Sequence, residues 1–120
     1  MQRIAIVMAL ATSNLMSGVS VAQQQFDGHW GVEAIPETGS CKKAYRYPLV
    51  IGNGTVRYGG ARKLNAEGRV QASGHIQGRI QGRKSRVDVT GDLSERSGSG
   101  TWTISGRINC SGRWNAQKRG

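Results

Sequence analysis

Hydrophobic and polar residues alternate along most of the chain with a period of two, which is typical of half-buried strands. In AYRYPLVIGNGTVRYGG (residues 44–60) one face carries the apolar side chains of Tyr45, Tyr47, Leu49 and Ile51. Asn53-Gly54 follows and predicts a two-residue hairpin, because a type I′ turn requires positive φ at both central positions. Pro48 has no backbone N–H, so it predicts an edge strand or a bulge at this point.

The same alternation predicts eight strands, near residues 30–35, 44–51, 55–59, 62–70, 75–81, 86–92, 101–105 and 110–116. Glycine-rich turns separate most of them, including SERSGSG at 94–100. No segment has a helical period, and the spacing is typical of an antiparallel meander. So many strands in so short a chain are expected to close and remove their edges. The predicted fold is therefore all-β, a small antiparallel up-and-down barrel, with a two-sheet sandwich as the alternative.

The first 22 residues have the organisation of a secretory signal peptide. Arg3 precedes an apolar run over residues 4–11, and Ser20-Val21-Ala22 supplies the small residues expected before a cleavage point. The run is far shorter than the ~20 apolar residues of a membrane span, and no later stretch approaches that length. We expect cleavage after Ala22 and one exported domain over residues 23–120, in the periplasm or outside the cell.

The chain has two cysteines, Cys41 and Cys110. An oxidising compartment favours a disulfide between them, and two free buried thiols are the alternative. Closing a loop of this length would contribute about 4 kcal/mol to stability. That contribution matters because the predicted domain has few aliphatic residues and a net charge of +9, from 16 Lys and Arg against seven Asp and Glu.

The most basic stretch is GHIQGRIQGRKSRVDV, residues 74–89. Alternation points Ile76 and Ile80 inward, and a turn centred on Arg83-Lys84 would place Arg79 opposite Asp88 across the hairpin. One hypothesis is a polyanion-binding strip on this strand face, extended by neighbouring cations; its residues are Arg79, Arg83, Lys84, Arg86, Arg57, Arg62 and Lys63. The alternative is a solvated hairpin face whose charge protects a strand edge.

The net positive charge would attract an anionic polysaccharide, lipopolysaccharide or an acidic protein. Nucleic acid is not expected, because the aromatic residues that would stack on bases fall on the inward face. The sequence does not indicate an oligomeric state.

Catalytic constellations are absent from the sequence. His29 and His75 fall outside metal-ligand and nucleophile spacings, and the seven carboxylates are scattered singly. We expect neither an enzyme nor a bound metal or cofactor.

The remaining candidate is the set of large aromatic side chains on the inward face, Trp30, Tyr45, Tyr47, Tyr58, Trp102 and Trp114. Each Trp follows a Gly-x pair, which suits a large ring where backbones approach closely. These rings are predicted to form the core; alternatively, they line a cavity for a small apolar ligand. A further hypothesis is an inhibitor of an exported hydrolase, for which the charge favours an acidic target.

Four stretches, FDGHWGVEAI, CKKAYRYPLVIGNGTVRYGG, GSGTWTI and CSGRWNAQKR, occur in this order from residue 26 to residue 119. Together they resemble a family of small exported bacterial proteins of uncharacterised function. Its members share an aromatic-Asp-Gly-x-Trp start, an Asn-Gly hairpin and a closing Cys-x-Gly-x-Trp. The resemblance covers Phe26 to Ala116 and implies an exported β domain with one disulfide and no assigned activity. Gly28 and Trp30 are also similar to the Gly-x-Trp of the calycin barrels (lipocalins and avidins). This likeness implies a barrel fold and assigns no binding residues to this chain.

Overall fold

The computed structural model describes residues 24–61 and 65–120. They form a closed antiparallel barrel whose strands neighbour one another in chain order. The strands are β1 (Gly28–Gly39), β2 (Tyr45–Gly52), β3 (Thr55–Tyr58), β4 (Asn65–Val70), β5 (His75–Gln81), β6 (Ser85–Leu93), β7 (Ser97–Gly106) and β8 (Cys110–Lys118). Pairing of β1 with β8 closes the barrel, which confirms the predicted architecture over the two-sheet sandwich. The predicted signal over residues 1–22 lies outside the described residues.

The hairpin between β2 and β3 has the predicted turn. Asn53 has φ of 53° and Gly54 has φ of 76°, so both central residues are in the left-handed region that type I′ requires. Pro48 lies just beyond the point where β3 ends, since Tyr58 pairs with Leu49. Its missing N–H therefore leaves no gap in the β2–β3 ladder, and its carbonyl accepts from Gly59 N–H at 2.8 Å.

The turn predicted at residues 94–100 is shorter in the structure, because β7 already begins at Ser97. Ser94 N–H donates to the Ser97 carbonyl at 2.7 Å and closes the turn. Gly98 and Gly100 belong to the strand. A Cβ at Gly98 would overlap Leu93, so glycine there permits close packing rather than a turn.

Two ends of the barrel differ in how they are filled. The closed end carries the turns at 53–54, 71–74 and 94–96; the open end carries the loops at 40–44, 82–84 and 107–109. The inward hydrophobic side chains at the closed end are almost completely buried; they are Phe26, Trp30, Ile51, Val70, Ile76 and Leu93. The core is therefore densest at the closed end.

Two residues before β1 fasten the chain across the closed end. Phe26 is 3% exposed, and its carbonyl accepts a hydrogen bond from Trp30 Nε1 at 2.8 Å. The Asp27 carboxylate accepts from Asn53 N–H at 3.0 Å and from Gly54 N–H at 3.5 Å. Asp27 thus ties the start of the barrel to the β2–β3 hairpin.

Trp102 and Trp114 occupy the middle of the barrel and are both buried. Trp102 Nε1 donates to the Arg113 carbonyl at 2.8 Å, and Trp114 Nε1 donates to the Thr90 carbonyl at 3.0 Å. Trp114 lies against the cross-strand pair Gly91 and Gly100, where a Cβ on Gly100 would be 2.7 Å from the indole nitrogen. The glycines therefore make the space that the indole fills.

We expect Gly100→Ala to lower the free energy of unfolding by about 1–3 kcal/mol, the usual cost of overpacking a core. The new methyl would overlap the Thr90 carbonyl oxygen and the Trp114 ring, so the indole hydrogen bond would be displaced. Urea unfolding measures the change. Gly52→Ala is the matched control, because no atom lies within 4 Å of the added carbon. An equal loss in both variants would contradict this account of the Trp114 packing.

Candidate functional site

The basic hairpin between β5 and β6 has the predicted register. Gly82 N–H donates to the Ser85 carbonyl at 2.8 Å, so Arg83 and Lys84 form the tip of the turn. Arg79 pairs with Asp88 across the two strands, as predicted, and its Nε lies 3.5 Å from the carboxylate. The structure therefore confirms the geometry of the hairpin but not, by itself, a binding role.

Among the described residues, the cations of the predicted polyanion strip are divided between the strand faces and the β5–β6 turn. Arg86 Nε lies 3.0 Å from the same carboxylate of Asp88 that Arg79 contacts, so both wall cations are partly neutralised. Arg57 is on β3, two strands away from β5. Arg62 and Lys63 lie outside the described residues. Arg83 and Lys84 remain together, at the open end rather than on the strand face.

Backbone hydrogen bonds bring three loops together at the open end. Arg107 N–H donates to the Lys84 carbonyl at 2.9 Å, which joins the loop at 107–109 to the turn at 82–84. Ser40 N–H donates to the Asn109 carbonyl at 3.2 Å, which joins the loop at 40–44 to the loop at 107–109. The three loops therefore form one surface.

These loops carry cations and no carboxylate. We call their basic side chains the basic end; they are Lys42, Lys43, Arg83, Lys84 and Arg107, all exposed. None of them takes part in an ion pair within residues 24–61 and 65–120. The basic end is thus a cluster of five charges of one sign, without local compensation.

Carboxylates lie elsewhere, on the barrel wall and at the closed end. Glu33 contacts Arg46 at 3.6 Å, and Glu37 accepts from Arg113 Nε at 2.6 Å. The described open-end loops therefore carry positive charge only, whereas the barrel wall carries charges of both signs.

The Cys41–Cys110 disulfide is present, with a Cα–Cα distance of 5.8 Å. It joins the loop at 40–44 to the first residue of β8, directly beneath the basic end. The covalent link therefore fixes the loop that carries Lys42 and Lys43 to the barrel.

An apolar cavity of about 80 Å³ opens inside the same end. Its aliphatic lining consists of Val32, Leu49, Ile80, Val87, Val89 and Ile104, with Ala34 beside them. Its aromatic lining consists of Tyr45, Tyr47, Trp102 and Trp114. The inward side chains at this end are thus only partly covered, in contrast to those at the closed end.

Within the predicted aromatic interior, the three tryptophans are buried and Tyr45 is only partly covered. Trp30, Trp102 and Trp114 are buried, whereas Tyr45 is 41% exposed at the mouth of the cavity. Tyr45 is the first residue of β2, and at this end of the strand the inward face extends beyond the core into solvent. Tyr58 is half-buried and does not line the cavity.

Tyr47 has a raised pKa. Burial is the main cause, and the nearby phenols of Tyr45 and Tyr58 add to it by repulsion between phenolates. The Tyr45 and Tyr47 ring centroids are 6.3 Å apart. The phenol of Tyr47 is therefore held neutral at the wall of an apolar space.

The prediction from the sequence did not group Lys42, Lys43 and Arg107 with the hairpin turn. In an up-and-down barrel, alternate connections fall at the same end, so the first, fifth and seventh loops are expected to be neighbours. Comparing the charges of alternate loops would have identified the basic end without a structure. Exposed Ile108 in the seventh loop was also missed.

No catalytic or metal cluster emerges from the described part of the chain. His29 is exposed on β1, and His75 Nδ1 lies 3.3 Å from the Asp92 carboxylate. No group of three or more His, Cys, Asp or Glu side chains that could hold a metal occurs in residues 24–61 and 65–120. The expectation that the protein is not an enzyme stays a prediction. Within the same residues, no helix is long and apolar enough to cross a membrane.

Comparison with known proteins returns no matching family model, curated protein or solved structure. The resemblance to small exported bacterial proteins therefore stays a prediction.

We expect the ultraviolet titration of the phenolates to show one tyrosine that ionises above the other two. Tyr47→Phe should remove that group, and Tyr45→Phe should lower its midpoint without making it normal, because burial is the larger cause. The pKa of Tyr47 in the folded protein is above its unfolded value of about 10. The contribution of the neutral phenol to the free energy of unfolding is therefore complete below about pH 10 and is lost as the pH rises through the folded pKa. If the group with the high midpoint remained in Tyr47→Phe, the assignment of that midpoint to Tyr47 would be contradicted.

Proposed function

We propose that the protein is an exported, non-catalytic binding module that holds an anionic partner on its basic end. The observation that carries this proposal is the cluster of five exposed cations in three adjoining loops that contain no carboxylate. Export rests on the signal-like N-terminal segment and on the disulfide, which is typical of oxidising compartments.

The contrast with the barrel wall supports this location. Arg79 and Arg86 share Asp88, while Arg46 and Arg113 each contact a glutamate. Charges paired in this way contribute little field at a distance, whereas unpaired charges of one sign add together and attract a polyanion. Within the described residues, the basic end therefore gathers five cations outside any ion pair on one surface.

The loops also hold their cations in a defined arrangement. The disulfide fixes the loop at 40–44, and the backbone hydrogen bond between Arg107 and Lys84 fixes the other two loops to each other. Ordering these side chains on binding then costs less conformational entropy than it would on a free loop. Partners that fit are an anionic polysaccharide, the phosphates of lipopolysaccharide, or an acidic protein surface such as that of an acidic hydrolase.

The test is retention of the oxidised protein on heparin across a salt gradient. Lys84→Glu combined with Arg107→Glu should elute at much lower salt than the unmodified protein. The plot of log affinity against log salt should flatten by roughly one unit for each lost ionic contact, by the counterion-release argument.

The matched control is Arg57→Glu combined with Arg69→Glu, which changes the net charge equally on exposed strand positions away from the basic end. This variant should elute close to the unmodified protein, with circular dichroism showing that both variants are folded. Equal loss of retention in the two variants would mean that net charge alone causes binding and would overturn the proposal.

A further inference from the structure

We propose that the ligand of the basic end is an anionic amphiphile: one aliphatic chain ending in a carboxylate, phosphate or sulfate. The chain enters the cavity while the anionic group stays among the cations of the basic end. This inference rests on the proposed function and adds the chemical class of the ligand.

The cavity and the cations share one opening. Val87 pairs with Ile80 on one side and with Ile104 on the other, and all three line the cavity. The turn that connects the strands of Ile80 and Val87 carries Arg83 and Lys84. A chain that enters between these side chains thus leaves its head group beside the turn.

The floor of the cavity offers no hydrogen-bonding partner from its indoles. Trp102 Nε1 and Trp114 Nε1 both donate to backbone carbonyls, so the two rings present carbon to the cavity. A polar group placed there would lose its water without a replacement partner, which is costly. The cavity therefore selects an aliphatic or other apolar group.

Two exposed hydrophobic side chains extend the apolar surface to the rim. Tyr45 and Ile108 are the large hydrophobic residues that are exposed in the described part of the chain, with 41% and 42% of their surface accessible. Tyr45 begins β2, and Ile108 lies in the loop at 107–109, so both lie at the open end. Apolar contact is thus available outside the cavity as well as within it.

The size of the cavity limits what can enter. A volume of about 80 Å³ is well below the range of roughly 300–1,000 Å³ that encloses a whole small molecule. Only the end of a chain can be enclosed, and the remaining methylenes must lie along the rim. The five cations then favour an anionic head over a neutral or cationic one.

The first experiment measures binding of saturated carboxylates from butanoate to dodecanoate to the oxidised protein by calorimetry, below their micelle-forming concentrations. The dissociation constant should fall about fourfold for each methylene that is buried and should then level off, because the enclosed volume is small. Decyltrimethylammonium, with a cationic head, should bind far more weakly than decanoate. A dissociation constant that does not change with chain length would overturn the inference.

Brominated chains locate the bound tail, because bromine quenches tryptophan fluorescence at contact. 12-Bromododecanoate should quench strongly, since Trp102 and Trp114 line the cavity, and 2-bromododecanoate should quench weakly. Stronger quenching by the 2-bromo compound would contradict insertion of the tail.

Vesicles of phosphatidylglycerol with brominated chains form a second arm of the experiment. Quenching by the free acid alone indicates a monomeric ligand, and quenching by vesicles as well indicates a chain taken from a bilayer.

Val87→Phe separates this inference from the proposed function. The larger ring would occupy the mouth of the cavity, so the dependence on chain length should disappear while retention on heparin stays unchanged. Val87→Ile adds less volume and is the matched variant. It should keep both the dependence on chain length and the retention on heparin. If decanoate binds no better than butanoate yet the charge-reversal result on heparin holds, the amphiphile inference fails and the anionic-partner proposal stands.

Discussion

The interior of a closed eight-stranded barrel must be filled by side chains, and this constraint determines the rest of the structure. Large aliphatic residues are few in this chain, and three tryptophans supply the largest buried side chains. Each large ring requires small neighbours, which is why Trp114 lies against Gly91 and Gly100. Phe26 completes the filling at the closed end. In the described part of the open end, the inward side chains are only partly covered, and the cavity lies among them.

Much of this fold could be predicted from the sequence because its signals are local. The period of two, the Asn53-Gly54 turn and the register of Arg79 with Asp88 each depend on residues within one hairpin. The start of β7 was misplaced for a related reason. A strand with glycines at its inward positions has the same composition as a glycine-rich turn. Only the side chains packed opposite, Leu93 against Gly98 and Trp114 against Gly100, distinguish the two.

Features that depend on closure of the barrel were missed. Asp27 contacts the hairpin at residues 53–54 only because the sheet brings the two together. The candidate site shows the same limitation: Arg83 and Lys84 are close to Arg86 in the chain, but Lys84 contacts the loop at 107–109, which in turn contacts the loop at 40–44. Cations that are close in sequence are therefore divided between the turn and the strand face, and cations from separate loops are brought together.

Within residues 24–61 and 65–120, the ladder between β3 and β4 has the fewest register pairs. Among the described residues these strands share one register pair, Thr55 with Arg69, supported by a hydrogen bond from Val70 N–H to the Gly54 carbonyl at 2.9 Å. By contrast, β6 and β7 pair along nine residues. Local unfolding takes the path that breaks the fewest hydrogen bonds and exposes the least apolar surface. In the part of the barrel that the structure describes, the β3–β4 ladder is therefore expected to open before the longer ladders.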